Sequence, residues 1–243
     1  MNGTRLLRRV FALLLLLALI TGMTGCFTIT ISPRYVTLSD DYTTLTATPD
    51  SEKVYRIEID NMSFTNSKDV TIDIAYSDTP SVEAVVSEDL LDYGFKITMN
   101  NGVLRVGPSK HLEIRTDRFE LKIRARFDEI DFSGGYDVTV DAGGAQSLSL
   151  NVSGAANGSV ENLYVSDFDA KISGAGSFVL SGAADKATIL ISGAGDMTIA
   201  VVDVLEAKIS GIGSIEYFGS PTVTQSVSGL GTVSQKSAEL PSA

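Results

Sequence analysis

The chain is poor in the residues from which active sites and covalent frameworks are most often built. It holds one cysteine, one histidine and no tryptophan in 243 residues. With a single cysteine no disulfide framework can form, so packing alone must hold the fold. The single histidine, His111, rules out a histidine-rich zinc site and leaves a Ser/His/Asp or Cys/His arrangement only one base to use. His111 follows Pro108-Ser109-Lys110 and reads as a surface loop residue. Positive charge is also scarce, with 19 Lys and Arg against 30 Asp and Glu and a net charge of −11. A surface that acidic repels phosphate backbones, which excludes nucleic acid as a main partner. Long apolar runs are missing apart from the eleven residues Val10 to Ile20. That length suits the core of a signal peptide, about 7 to 15 residues, and falls short of the roughly 20 that cross a bilayer.

What is present begins with an address. Met1 to Arg9 carries three arginines and no acid, and the apolar run ends at Thr21-Gly22-Met23-Thr24-Gly25-Cys26. This predicts an export signal over residues 1–25, whose removal takes the net charge to −14 because Arg5, Arg8 and Arg9 leave with it. The stretch before Cys26 resembles the lipobox of bacterial lipoproteins, with Met23 where Leu is commonest. That resemblance implies acylation of Cys26 and a stable membrane anchor, since each buried CH₂ contributes about 0.8 kcal/mol. An incidental cysteine, or the end of an uncleaved membrane helix, are the alternatives. The expected location is the bacterial cell envelope, facing the periplasm or the cell surface. Residues 26–53, rich in Thr, Ser and Asp with Pro33 and Pro49, read as a lipid-anchored tether with room for one early strand.

From Val54 onward apolar and polar residues alternate, as in Val54-Tyr-Arg-Ile-Glu-Ile59, Val70-Thr-Ile-Asp-Ile74 and Leu121-Lys-Ile-Arg124. A period of two is the pattern of half-buried strands, and no stretch after the signal sustains a helical period. The domain, placed at 54–235 with a tail at 236–243, is therefore expected to be all-β.

Its C-terminal half repeats. Val152-Ser-Gly-Ala-Ala, Ile172-Ser-Gly-Ala-Gly, Ile191-Ser-Gly-Ala-Gly, Ile209-Ser-Gly-Ile-Gly and Val227-Ser-Gly-Leu-Gly are spaced by 20, 19, 18 and 18 residues. A steady spacing of this size marks a solenoid, in which each coil leaves an apolar face that only its neighbours cover. Aligned repeats keep a β-branched residue before Ser-Gly and a polar residue after the second glycine position, namely Ser177, Asp196, Ser214 and Thr232. An apolar residue follows, namely Phe178, Met197, Ile215 and Val233. Stacked parallel strands need such columns, because equivalent side chains about 4.8 Å apart share one environment. The corner glycines, Gly174 and Gly176, Gly193 and Gly195, Gly211 and Gly213, Gly229 and Gly231, supply either a positive φ or room for the adjacent backbone. Ala156 stands in place of the second glycine of the first corner, which leaves the register of that coil open. A second corner is expected near Gly182, near Val202-Asp203 and near Gly219-Ser220-Pro221.

With these columns, the phrase Val82 to Leu104, the segment Ser147 to Leu163 and the ending Gly219 to Val233, the chain resembles the bacterial auto-transporter adhesin head GIN domain family over about Val54 to Val233. The resemblance implies a right-handed parallel β-helix of about 18–20 residues per coil and an adhesive role. From the residues themselves, no cofactor and no catalytic residue are expected.

Other chemistry finds little support. Gly193 to Asp196 invites comparison with calcium-binding β-helix repeats, yet Asp recurs at only one corner. The glycine pairs precede no helix and so form no phosphate loop. Asp128, Glu129 and Asp131, or Asp167 and Asp169, are the candidates for a paired acid and base in a glycan-active enzyme, the main alternative to a non-catalytic contact protein. A third possibility is an accessory protein for envelope assembly or sensing. The expected partners are a membrane through the anchor and a glycan or envelope protein.

Overall fold

The computed structural model describes residues 35–49 and 54–237. The signal segment 1–25, Cys26 and residues 238–243 of the tail lie outside the described residues, as do residues 27–34 and 50–53 of the tether. The chain first forms β1 (Val36–Thr37), β2 (Tyr42–Ala47), β3 (Arg56–Ile59), β4 (Met62–Phe64), β5 (Asp69–Tyr76) and β6 (Ser81–Ser87). A single helical turn, α1 (Asp89–Asp92), leads to β7 (Lys96–Asn100), β8 (Val103–Gly107), β9 (Leu112–Arg115) and β10 (Arg118–Ala125). Then come β11 (Glu129–Phe132), β12 (Gly135–Asp141), β13 (Ser147–Val152), β14 (Ala155–Ile172), β15 (Ala175–Ile191) and β16 (Ala194–Ile209). The last described strands are β17 (Ile212–Phe218), β18 (Thr222–Val227) and β19 (Leu230–Gln235).

These strands build a parallel β-solenoid. Each long strand turns from one sheet into the other. The end of β14 pairs with β13 and its start with β12, both parallel. The residues before the five Ser-Gly corners form one vertical row, Val152, Ile172, Ile191, Ile209 and Val227, with each pair in register. Val152, Ile172, Ile191 and Ile209 are at most 1% exposed. Fully burying side chains of this kind contributes about 1.5–3 kcal/mol each. Ala155 pairs with Ala175 and Gly158 with Phe178, so the corner at Ala156 keeps the common register. Ala156 is fully buried, and Phe178, paired with Gly158 one coil below, stacks with Phe132 at 6.3 Å.

The first glycine of each corner is set by crowding, not by φ. A Cβ on Gly174, Gly193, Gly211 or Gly229 would lie 1.9 Å from the carbonyl oxygen of the equivalent glycine one coil earlier. The second glycine lies within the following strand. Gly176 is buried and Gly213 alone of the corner glycines has a left-handed φ, at +148°. The opposite corner uses positive φ at Asn162, Gly182 and Gly219. The shortening of the coil from 20 residues to 18 is absorbed there, in register shifts between Val160 and Leu163 and between Val179 and Lys186.

The row of buried residues continues below Val152 through Phe132, Ile59 and Val106, but not in chain order. β3 lies between β8 and β11, and β5 pairs in parallel with β10. The chain therefore builds the β3–β5 level, leaves it, lays β8–β10 beneath it, and then passes over it to β11. Tyr136 fastens this crossing by donating its hydroxyl to the Ile59 carbonyl at 2.6 Å, and burial pushes its ionisation well above the usual tyrosine range. Antiparallel strands close the lower end: β6 on β10, β2 on β6 and β7 on β8. Part of the segment read as a tether thus lies in this cap. Leu90 of α1 is fully buried, and Phe95 and Phe64 pack on Phe119 at 6.1 and 4.8 Å.

Candidate contact surface

The alternation that fills the core sends every second residue outward, and the two sheets display different chemistry. On the first sheet the outward rows are charged. One runs Arg56, Glu129, Ser149, Asp169, Thr188, Glu206, and the next runs Arg105, Glu58, Asp131, Asn151, Lys171. Their lower part is a closed network. Arg105 is paired with Glu58, and Arg56 bridges Glu129 at 2.8 Å, Glu58 at 3.5 Å and Asp131 at 3.6 Å. Asn151 Nδ2 donates to Glu129 at 3.0 Å and to Asp131 at 2.7 Å. The bond to Glu129 raises the Arg56 ionisation, and partial burial raises that of Asp131 above the usual carboxylate value. Glu129 and Asp131, each held by Arg56 and the Asn151 amide, are committed to the ladder and poorly placed to transfer protons to a substrate.

The other acids read from sequence are dispersed. Asp167 accepts from Ser166 Oγ at 2.8 Å, and Asp169 stands on the exposed face of the same strand. Asp196 accepts the Ser214 amide at 2.8 Å. It thereby spans consecutive coils through a serine. Among the described residues no group of three or more His, Cys, Asp or Glu is placed to hold a metal ion. His111 is exposed just before β9.

The second sheet carries fewer charges outside, and in its two outward rows all of them are acidic. One outward row runs Asp137, Asn157, Ser177, Asp196, Ser214, Thr232, and its neighbour runs Thr139, Ser159, Val179, Thr198, Glu216, Ser234. Asn157 ties the first row together, donating to Asp137 Oδ1 at 3.2 Å and accepting the Ser177 amide at 3.0 Å. Glu216 is paired with Lys236 at 3.0 Å. Between the sheets, the corner serines Ser133, Ser153, Ser173, Ser192, Ser210 and Ser228 form a ridge, each donating its amide to the coil before.

At the foot of the second sheet the ladder opens. β12 meets the level beneath it at Gly135–Ser63 and again at Thr139–Asp73, leaving residues 136–138 without a strand partner on that side. Three residues on β12 thus face nine on the lower level, which swings away to pair with β10. The gap is a cleft of about 430 Å³ lined by Asn66, Ser67, Lys68, Asp137 and Asn157, with Phe64 and Val70 as apolar walls. A second hollow of about 380 Å³, sharing Val70 and Asp137, continues it past Thr71, Thr139 and Ser159. Lys68 reaches Asp117 at 2.6 Å, so the cleft holds one carboxylate and one ammonium, the latter already paired. Sequence reading missed this cleft, because the level that swings away is out of order in the chain. The left-handed Asn66 (φ 51°) in the turn before Lys68 was its one local signal.

Fold and surface together define a β-solenoid protein with a side-chain-filled interior, polar rows outside and shallow clefts. The family model described as "Putative auto-transporter adhesin, head GIN domain" matches residues 63–236, and the chain belongs to that family. No curated protein matches the chain. Among solved structures it is similar to a putative adhesin from Bacteroides fragilis, at 19% identity and a TM-score of 0.61 over 83% of this chain and all of that one. A protein described as a putative lipid binding protein from Parabacteroides distasonis matches at 16% identity and a TM-score of 0.52, covering 84% of this chain and all of that one. At such identities these likenesses speak to the fold. Family membership supports an adhesin-like, exported protein at that general level.

Proposed function

We propose that this chain is a non-catalytic lipoprotein of the bacterial cell envelope, anchored through Cys26, that uses the second sheet of its solenoid to hold an extended polar partner. The observation that carries this reading is the continuity of two rows made mostly of hydroxyl and amide side chains, Asn157 to Thr232 and Thr139 to Ser234, with the cleft at their foot. A flat ladder with a regular rise makes many weak contacts with a repeating ligand and needs no enclosed pocket. Hydroxyl and amide groups beside the Phe64 and Val70 walls suit a neutral glycan. The relatives described as adhesins agree with a contact role. The glycan-active enzyme is disfavoured because Glu129 and Asp131 are bound to Arg56 and Asn151, and Asp137 is the only carboxylate among the residues lining the cleft.

A glycan array probed with the full chain tests this. The expected result is retention of neutral oligosaccharides, weakened at least about tenfold by the double change Asp137→Ala and Asn157→Ala with the melting temperature unchanged. Retention unaffected by that pair removes the second sheet from the reading, and cleavage of a bound glycan removes the non-catalytic one. For the anchor, Cys26→Ala is expected to release the protein from membranes or leave it as precursor. Unaltered fractionation would count against lipidation.

A further inference from the structure

The two ends of the solenoid are finished differently. At the lower end β2, β6 and β7 lie antiparallel over the stack, α1 plugs the core with Leu90, Lys96 stands in the β7 edge, and Asp40 and Asp41 precede β2. Charges and an edge lysine are the usual means of keeping a free strand edge from pairing with another chain. At the upper end, among the described residues, β18 pairs only with β16 and β19 only with β17, so both strands present a free edge. Val227, the last member of the buried row, is 42% exposed, whereas its equivalent one coil below is fully covered. Residues 217–235, which include the whole last coil, contain no charged residue in a chain where one residue in five is charged. Lys236, which follows, is turned back onto Glu216 of the coil below.

We propose that this last coil is a self-association surface on which a second copy of the chain docks upper end to upper end. Two molecules with a net charge of −11 repel wherever their acidic surfaces meet, and an uncharged coil is the part of each that can approach the other without that repulsion. Turning one stack over onto the other reverses its strands, so the last coils meet antiparallel. That pairing satisfies the outward N–H and C=O groups of both edges and covers Val227 on both sides. Such a contact uses the same patch twice and closes at two copies. The capped lower ends then point away from each other, which stops growth into a fibre. A head-to-tail stack would instead set the uncharged coil against Lys96 and the acids before β2.

The test uses the full chain, lipidated and held in detergent, with a spin label on Ser226→Cys, an outward position of β18. A short label-to-label distance between copies is expected, and none for a label on Tyr93→Cys in the lower cap. Adding Thr224→Lys sets like charges in the contact and is expected to weaken association at least about tenfold, with the melting temperature unchanged. A monomer at all concentrations overturns the proposal. A dimer with short distances at Tyr93 and none at Ser226 overturns it equally.

Discussion

The upper coils and the lower levels solve the same packing problem in opposite ways. From Val152 upward each coil rests on the one made just before it, contacts join residues about 18 to 20 apart, and the same residue types recur in every column. Below Val152 the row Phe132, Ile59, Val106 joins residues 73 and 47 positions apart, and antiparallel strands close the stack beneath it. Repetition makes the upper coils nearly interchangeable. Crossing makes the lower levels a single unit whose parts hold one another in place, and the cleft opens where the two regimes meet at β12.

Deletions separate the two regimes most sharply. Removing residues 191–208 joins Leu190 to Ile209, skips one coil, and is expected to leave a folded solenoid with a cooperative melt, because coils are additive units. Removing residues 81–100 strips the cap and is expected to abolish folding, as read by circular dichroism. If both deletions melt alike, the contrast is lost.

Point changes come next. Ile59→Ala, at the centre of the crossing and fully buried, should cost about 2–5 kcal/mol in denaturant unfolding. Val227→Ala, in the same row but at the open end, should cost less than about 1 kcal/mol when unfolding is measured on dissociated monomer. Equal costs would mean the upper end is covered in the monomer. Gly193→Val is expected to destabilise by more than about 2 kcal/mol, because its Cβ would meet the Gly174 carbonyl at 1.9 Å. An unchanged melting temperature would remove the crowded corner.

The smallest effect is electrostatic. Arg118 holds the Glu120 carboxyl below 4.5, so the pair contributes above that pH and its contribution fades as pH falls through the lower folded value. Arg118→Gln should bring the Glu120 NMR titration midpoint up toward 4.5 with little change in melting. A midpoint that stays put would place the cause elsewhere than in Arg118.

The upper coils were legible because a solenoid writes its geometry along the chain. Ile172, Ile191 and Ile209 had to share a row once their spacing was constant, and Ser177, Asp196, Ser214 and Thr232 had to lie outside. The role of the corner glycines was readable only as a choice between φ and crowding. The stacked carbonyls decided for crowding at Gly174, Gly193, Gly211 and Gly229. The second sheet's row from Asn157 onward could be read in the same way. The cleft at its foot could not, since Asn66 and Lys68 come from a level separated from Asp137 by about seventy residues of cap and crossing.

By itself, then, the sequence determined an all-β chain, its repeat length, its inward and outward columns and its acidic, histidine-poor chemistry, because all of these depend on neighbours along the chain or one coil away. Only the tertiary structure decided that β3 would sit between β8 and β11, that Glu129 and Asp131 would be bound to Arg56, and that one end would be capped and the other left, among the described residues, with free strand edges. Those outcomes rest on pairings between distant segments whose alternating patterns are alike, and strands with like patterns can pair in many orders until the packed core selects one.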